Sequence, residues 1–293
     1  MALELPTSLS PSKVSTFTDC ALSFRFSAID RIPQPPTVAT VRGTLVHSTL
    51  ERLLTLDASE RTTDTALDCL ADARVAIAED PEWTELALDP AAEAVFMREA
   101  DVLVHRYFDI EDPTDIDPIG LELPVEFRLP FEDGTSVLLR GIIDRLERDA
   151  DGGLVVSDYK TGKPPSEGYQ QSRLTGVHFY AFLCEQIYDE RPSKVQLLYL
   201  GGTPAIVETT PTEQSTRQIE RKIRSIWSAI ETACEREDFR PKKSRLCDWC
   251  AYQTWCPAFG GDPAEARVAF EGTARRRGRT AFDGPDRNRP LLP

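Results

Sequence analysis

Four cysteines stand at opposite ends of the chain: Cys20 near the beginning, and Cys247, Cys250 and Cys256 in a C-x2-C-x5-C segment near the end. A C-x2-C pair alone is compatible with zinc, an iron–sulfur cluster or thiol redox chemistry. A zinc ribbon built within one segment would need a second C-x2-C, and the sequence has none. The fourth thiolate must therefore come from afar. If Cys20 supplies it, residues separated by 227 positions (247 − 20) are tied together, and almost the whole chain becomes one closed loop. The other three cysteines, Cys69, Cys184 and Cys234, fall in helix-like apolar patterns and read as small buried hydrophobes.

Composition narrows the class. At 293 residues the chain can bury a full core, as one large domain or a domain with an insertion. Its 41% hydrophobic and 28% charged content is that of an ordinary globular protein. No apolar run is long enough to span a bilayer, and the start lacks a basic stretch followed by an apolar one. A cytoplasmic location with no membrane partner is the default expectation. The net charge of −14 excludes a chain-wide basic footprint. Any polyanion-binding surface must be local, at Lys242-Lys243-Ser244-Arg245 or at Arg275-Arg276-Arg277 with Arg279. No G-x-x-x-x-G-K-[ST] loop is present, so the chain is not itself an ATP-driven motor.

Ser10-Pro11 opens a helix expected to carry Val14, Phe17, Cys20, Ala21 and Phe24 near one face. A proline-rich loop at 31–38 precedes a helix from Gly43 to Leu54, and two more follow at 64–80 and 89–109. The texture then changes to short alternating runs at 119–129, 136–147 and 153–159, with turn signals at Glu132-Asp133-Gly134 and at Asp149 to Gly153. This predicts an antiparallel meander of about three strands. A long helix at 169–189, strands at 195–200 and 205–209 joined by Gly201-Gly202, and a helix from Pro211 to about Glu235 complete the pattern. From about residue 271 the sequence is rich in arginine, glycine and proline and reads as disordered.

Within the meander, Asp158-Tyr159-Lys160 closes a strand. Side chains two apart on a strand share a face, so Asp158 and Lys160 point together. If the strands pair through the Asp149–Gly153 turn, Asp144 falls near Asp158. Two adjacent carboxylates make a hard-cation site suited to Mg²⁺ or Mn²⁺, with a lysine able to hold a phosphate or orient a water. A bare D-x-K is usually a solvated turn or an ion pair. Its strand context, the preceding Gly141-Ile142-Ile143-Asp144 and the trailing Thr161-Gly162 argue for chemistry. Glu122 and Glu126 lie on the first strand. A solvated face is the favoured reading for both, with a role at the metal second. His105 and His178 take the bland reading of packed or surface histidines.

Gly141-Ile142-Ile143-Asp144-Arg145, then about a dozen residues, then Val156-Ser157-Asp158-Tyr159-Lys160-Thr161-Gly162 resembles the PD-(D/E)XK nuclease superfamily. Within it, Gly43-Thr44-Leu45-Val46-His47 resembles the G-T-x-x-H element of the RecB-type exonuclease branch. The resemblance covers roughly residues 8–260. It implies an α/β fold with a restriction-endonuclease-like core, a central mixed β-sheet flanked by helices, a helical N-terminal section and a C-terminal iron–sulfur segment. One nuclease domain over 1–270 is expected, with its helical section at about 42–110, its sheet core at about 118–210 and its cluster segment at 245–259 joined to Cys20.

The resemblance further implies that His47, Asp144, Asp158 and the Tyr159 carbonyl bind the metal, that Lys160 serves the attacking water, and that Tyr180 contacts phosphate or supports the site. One departure stands out. The branch carries Gln-x-x-x-Tyr on the following helix, and the glutamine position is Gly176 here, with Gln170, Gln171 and His178 as nearby substitutes. The cysteine arrangement resembles the iron–sulfur members, such as the AddB nuclease domain and CRISPR-associated RecB-like nucleases. It implies a structural 4Fe–4S cluster on Cys20, Cys247, Cys250 and Cys256, with Trp249, Tyr252, Trp255 and Pro257 packed around it. By resemblance, the function is Mg/Mn-dependent hydrolysis of DNA from single-stranded ends in repair or recombination, with any helicase a separate partner. The alternatives are a non-catalytic iron–sulfur nucleic-acid-binding module, a CRISPR-adaptation-type nuclease, and a zinc-stabilised interaction protein.

Overall fold

The computed structural model describes residues 3–270, and gives the backbone alone for residues 167 and 169–175. The tail, with its arginine run at 275–279, lies outside the described residues. In chain order the helices and strands are α1 (Pro11–Asp19), α2 (Ala21–Phe24), α3 (Val38–Leu54), α4 (Thr63–Ile77), α5 (Pro81–Glu85), α6 (Pro90–Phe108), β1 (Pro118–Pro130), β2 (Ser136–Arg148), β3 (Leu154–Lys160), α7 (Glu167–Tyr188), β4 (Lys194–Tyr199), β5 (Ala205–Thr209), α8 (Glu213–Arg236) and α9 (Pro263–Ala269). The strands form one mixed sheet in the order β1-β2-β3-β4-β5.

The chain divides into two compact units. Of the described residues, one comprises the N-terminal stretch to Gln34, Pro124–Gly141 and 213–270; the other comprises Pro35–Leu123 and Ile142–Thr212. The second holds the layered core. Leu45, Leu50, Leu70, Phe96, Val104 and Tyr107 from α3, α4 and α6 pack with Tyr159 and Leu198 of the sheet and with Leu200 just beyond β4, all buried. Burial on this scale is the main stabilising term, at about 25 cal/mol per Å² of apolar surface. α3 starts at Val38, five residues before the expected Gly43, because Thr37 and Thr40 form a reciprocal capping box.

β2 and β3 pair antiparallel with Arg145 opposite Ser157 and Arg148 opposite Leu154. The turn between them is built by Asp149, whose Oδ1 accepts from the backbone N–H groups of Asp151 and Gly153, while Gly152 takes φ +86°. β3 then runs parallel to β4, and β4 antiparallel to β5. Beyond β3 the chain is pinned: Leu200 N–H donates to the Lys160 carbonyl at 2.8 Å, and Gly201 N–H to the Gly162 carbonyl at 3.2 Å. A Cβ at Gly201 would lie 2.5 Å from the Thr161 oxygen, so this close approach requires glycine.

In the first unit the N-terminal helix differs from expectation. α1 ends at Asp19, and Cys20 is extended at φ −161°, ψ 110°, before α2 begins. A π-helical turn, Arg25–Ile29, follows. Cys20 therefore sits at a break between helices, off the stripe expected to run through Val14 and Phe24. Among the described residues no helix is long and apolar enough to cross a membrane.

Candidate active site

His47 comes from the middle of α3, Asp144 from β2, and Asp158 and Lys160 from the end of β3. One step beyond the Arg145–Ser157 pair, the antiparallel register sets Asp144 against Asp158, and directly opposed residues share a face. The Tyr159 N–H donates to Asp144 Oδ2 at 2.7 Å, which fixes the carboxylate against β3. His47 Nε2 lies 3.0 Å from the Tyr159 carbonyl oxygen. Its Nδ1 lies 3.5 Å from Asp144 Oδ2 and 3.6 Å from Glu122 Oε1. Ligand atoms of His47, Glu122 and Asp144 all fall within 4.8 Å of one another.

Glu122 was the residue the sequence did not settle. For both Glu122 and Glu126 a solvated strand face is the favoured reading, with a role at the metal second; the structure separates the two. Glu126 pairs with Arg140, whereas Glu122 turns to His47 with its backbone at φ +42°. A non-glycine residue held left-handed inside a strand is the kind of strain that accumulates where a side chain must be aimed. Asp158 stands beside the trio rather than within it, and its carboxylate is ion-paired with Lys160.

The electrostatics match a site short of positive charge. Burial, then the Asp158 charge, push the Asp144 carboxyl up to about 7. Burial alone would lower the His47 imidazole, but the Glu122 hydrogen bond and the charges of Asp144, Glu122 and Asp158 outweigh it and raise it to about 9. Burial likewise opposes the Lys160 ammonium, and Asp158 and Asp144 overcome it and hold its pKa above the ordinary lysine value. Lys160 is thus a cation at neutral pH. Tyr180 on α7 is half-buried, with its hydroxyl at the Ile142 backbone; burial and the Asp158 and Asp144 charges keep it protonated. One imidazole, clustered carboxylates and a backbone carbonyl are donors suited to a hard divalent ion, and such an ion offsets the burial and the carboxylate repulsion that raise Asp144.

A family model of the PD-(D/E)XK nuclease superfamily matches residues 8–257. The chain belongs to the PD-(D/E)XK nuclease superfamily. The Gene 69 protein of Mycobacterium phage L5 is 30% identical over 142 residues, 48% of this chain and 45% of that protein, so the match spans less than half the length of the curated relative. A crystal structure of a "Putative exonuclease" from Eubacterium rectale superposes over 84% of this chain and 88% of its own with a TM-score of 0.50 at 13% identity, a likeness of fold. The α/β architecture, with its five-stranded mixed sheet flanked by helices, fits that membership.

The remaining predicted residues of this superfamily member fall as follows. His105 is exposed on α6 with Asp101 3.2 Å away. His178 is half-buried on α7 and, two residues from Tyr180, points to a different side of the helix. The side chains of Gln170 and Gln171 lie outside the described ones. Gly176 faces open space, with no atom within 4 Å of an added Cβ.

In the first unit, Cys20 accepts from the Lys242 backbone N–H at 3.5 Å, and Cys247 from that of Ser244 at 3.4 Å. Burial raises the Cys250 thiol, and the charges of Cys20, Cys247 and Cys256 add to it, so the four thiols are neighbours. Tyr252 is buried against Phe26, its hydroxyl donating to the Ile32 carbonyl at 3.2 Å. The expected aromatic shell is incomplete, because Trp249 is 87% exposed. The 3-10 turn from Arg245 to Trp249 buries none of its residues, and the indole lies outside.

Sequence reasoning missed the reverse face of the same strands. Arg145, fully buried, donates to both Glu111 oxygens at 2.7 and 2.8 Å, to Glu147 at 3.0 Å, to Ser157 at 3.1 Å and to the Tyr159 hydroxyl at 2.9 Å. Gln196 of β4 joins through Ser157 at 2.8 Å. The signal was present: in Asp144-Arg145-Leu146-Glu147 the charges alternate across the strand, so aiming Asp144 at one face sends Arg145 and Glu147 to the other.

Proposed function

We propose that the chain is a divalent-metal-dependent exonuclease that hydrolyses DNA from single-stranded ends and carries a structural 4Fe–4S cluster. The observation that supports this most is the meeting of His47, Glu122 and Asp144 within 4.8 Å beside the Asp158–Lys160 pair. His47, Glu122, Asp144 and the Tyr159 carbonyl, with Asp158 alongside, would hold Mg²⁺ or Mn²⁺. The ion would supply charge to the scissile phosphate and acidify the attacking water. Lys160, kept cationic by Asp158, cannot act as a base at neutral pH; its ammonium donates to a phosphate oxygen or orients the water. Tyr180, kept neutral by burial and then by its acidic surroundings, is a donor for the phosphate and does not compete for the ion. Asp144, gripped by the Tyr159 N–H, keeps one oxygen fixed while the other is available to the ion.

The cluster reading is supported by the cysteine pattern and by the neighbouring thiols of Cys20, Cys247, Cys250 and Cys256, four thiolates being the ligand set of an iron–sulfur group. Action in repair or recombination, with a separate helicase opening the duplex, is the cellular setting that follows from such a substrate.

The test is degradation of a single-stranded oligonucleotide by anaerobically purified protein with Mn²⁺, comparing wild type with Asp158→Ala and Lys160→Ala. Both substitutions are expected to abolish product. Equal degradation by all three proteins would remove this site from the chemistry. Gly176 in the glutamine position favours one second reading, a non-catalytic binding module. Intact oligonucleotide together with a gel shift from the wild-type protein would select it.

A further inference from the structure

At 87%, Trp249 is the most exposed large hydrophobic side chain among the described residues. It ends the 3-10 turn Arg245–Trp249. Side chains three apart in a 3-10 turn eclipse, so Leu246, also exposed, shares its face. The backbone of the turn is closed at both ends. Ser244 accepts at its hydroxyl from Leu246 N–H at 3.2 Å and at its carbonyl from Cys247 N–H at 3.1 Å. The Cys247 carbonyl in turn accepts from Cys250 N–H at 3.1 Å and from the Gln253 side-chain amide. A tied backbone that holds an apolar ring in water lowers the ordering cost of whatever is laid against it.

Lys242, Lys243 and Arg245 lead directly into this turn, and all three are exposed. Covalent geometry keeps their outer Cα atoms within about 11 Å, and the turn adds about 8 Å from Arg245 to Trp249. Cations and indole therefore share one patch, about 20 Å long at most. Arg240, just upstream, is neutralised by Asp238, whereas among the described residues Lys242, Lys243 and Arg245 form no ion pair. Asp248 is the one acid between Lys242 and Trp249. Lys242 donates to the Thr18 carbonyl at 3.2 Å, and its ammonium keeps two further donors. The Lys243 ammonium lies 5.2 Å from the centre of the Phe259 ring, which brings a second exposed aromatic side chain to the run.

We propose that this patch binds single-stranded nucleic acid, with an unpaired base stacked on the Trp249 indole and the flanking phosphates held by Lys242, Lys243 and Arg245. A purely apolar partner would bury the indole and strand three cations. A duplex would satisfy the cations but keeps its base faces stacked within the helix, out of reach of the ring. An unpaired strand supplies a phosphate and a base face at every step, which matches both halves of the patch. Stacking on an indole tolerates any base, so the patch holds a strand without selecting its sequence. The inference rests on the nuclease reading for its substrate. It adds a contact in the unit that does not carry His47, Glu122, Asp144 and Asp158.

The experiment measures affinity of the full-length, anaerobically purified protein for a fluorescent single-stranded oligonucleotide in magnesium-free buffer, from about 50 to 200 mM salt. Trp249→Ala is expected to weaken binding about 5- to 100-fold at every salt concentration and to leave the salt slope unchanged, because stacking releases no counterions. Trp249→Phe should recover most of that loss. Lys243→Gln and Arg245→Gln should each lower the slope by about 0.7. Val75→Ala, at an exposed apolar position on α4, should change neither quantity. An abasic oligonucleotide of equal length keeps the phosphates and removes the base faces. Wild type should bind it more weakly than the intact strand, and Trp249→Ala should narrow the difference. Equal affinity of wild type for the two strands overturns the site without recourse to any variant. Wild-type affinity in Trp249→Ala overturns it too, and if light scattering then shows self-association lost in that variant, the face belongs to a second copy of the chain. Mn²⁺-dependent cleavage on the same preparations separates the two readings. A wild type that cleaves while Trp249→Ala binds equally well refutes only this site; one that neither binds nor cleaves refutes the nuclease reading as well.

Discussion

Replacing Arg145 by methionine removes the centre of the buried polar network and leaves its acids behind. Glu111 and Glu147, with side chains 13% and 11% exposed, each lose their guanidinium partner, and the Tyr159 and Ser157 hydroxyls lose a donor. Stranding one half of a buried ion pair costs about 3–5 kcal/mol, a large part of a typical domain's total of about 5–15 kcal/mol. Tyr159→Phe, which deletes a single acceptor of the same guanidinium, is expected to cost about 1 kcal/mol. The pH dependence provides a sharper criterion. In the wild type, burial raises the Glu147 carboxyl above 4.5 and Arg145 pulls it back down. Without the arginine its folded value climbs further, so over the interval between the unfolded and folded values the native state binds the extra proton. Stability of Arg145→Met must then increase as pH falls from 8 towards 5, and its deficit relative to wild type must shrink. Urea unfolding at pH 8, 7 and 5 measures this. A deficit below about 1 kcal/mol at pH 7, or one that is the same at pH 5, would refute the assignment of the network as a compensated charge cluster.

Three further outcomes follow from the same structure. With Asp144 raised to about 7 and His47 to about 9 in the metal-free site, ion binding must expel protons. Mn²⁺ affinity should therefore rise with pH through neutrality, and calorimetry in two buffers of different ionisation enthalpy should report proton release; identical heats would contradict it. Glu122→Gln keeps the shape of the side chain but removes a charge from the ligand trio. It should weaken Mn²⁺ binding about 10- to 100-fold with little change in melting temperature, and unchanged affinity would return Glu122 to the solvated strand. Cys20→Ser should lower iron and sulfide content and, by releasing a closure of 227 residues (247 − 20), reduce stability by about 5 kcal/mol on chain-entropy grounds; retention of both iron and stability would exclude Cys20 as a ligand.

Much of this was legible in the residues because it depended on local rules. Strand periodicity and the Asp149 turn set the β2–β3 register, and the register alone brings Asp144 to Asp158. Helical spacing placed His47 on α3. Other features were hidden because they depend on distant packing. The left-handed φ of Glu122 has no signature in Leu121-Glu122-Leu123, a stretch that reads as uninterrupted strand. The break at Cys20 is similarly silent, since Thr18 to Phe24 carries neither proline nor glycine. Trp249 is expected to pack around the cofactor with Tyr252, Trp255 and Pro257, but it lies on a short turn that buries none of its residues. The Arg145 network draws in Glu111 directly and Gln196 through Ser157 and Glu111, separations no local pattern encodes.

The contact of Gly201 with the Thr161–Gly162 backbone means that the aim of the Lys160 ammonium is governed from a hairpin forty positions further along. Any methyl group there must displace the peptide that follows the lysine. A genetic screen for inactive but well-expressed alleles should therefore return lesions at Gly201, in a protein whose every acid, imidazole and ammonium group is intact. Inheritance of the activity thus hangs as much on a missing side chain as on those present.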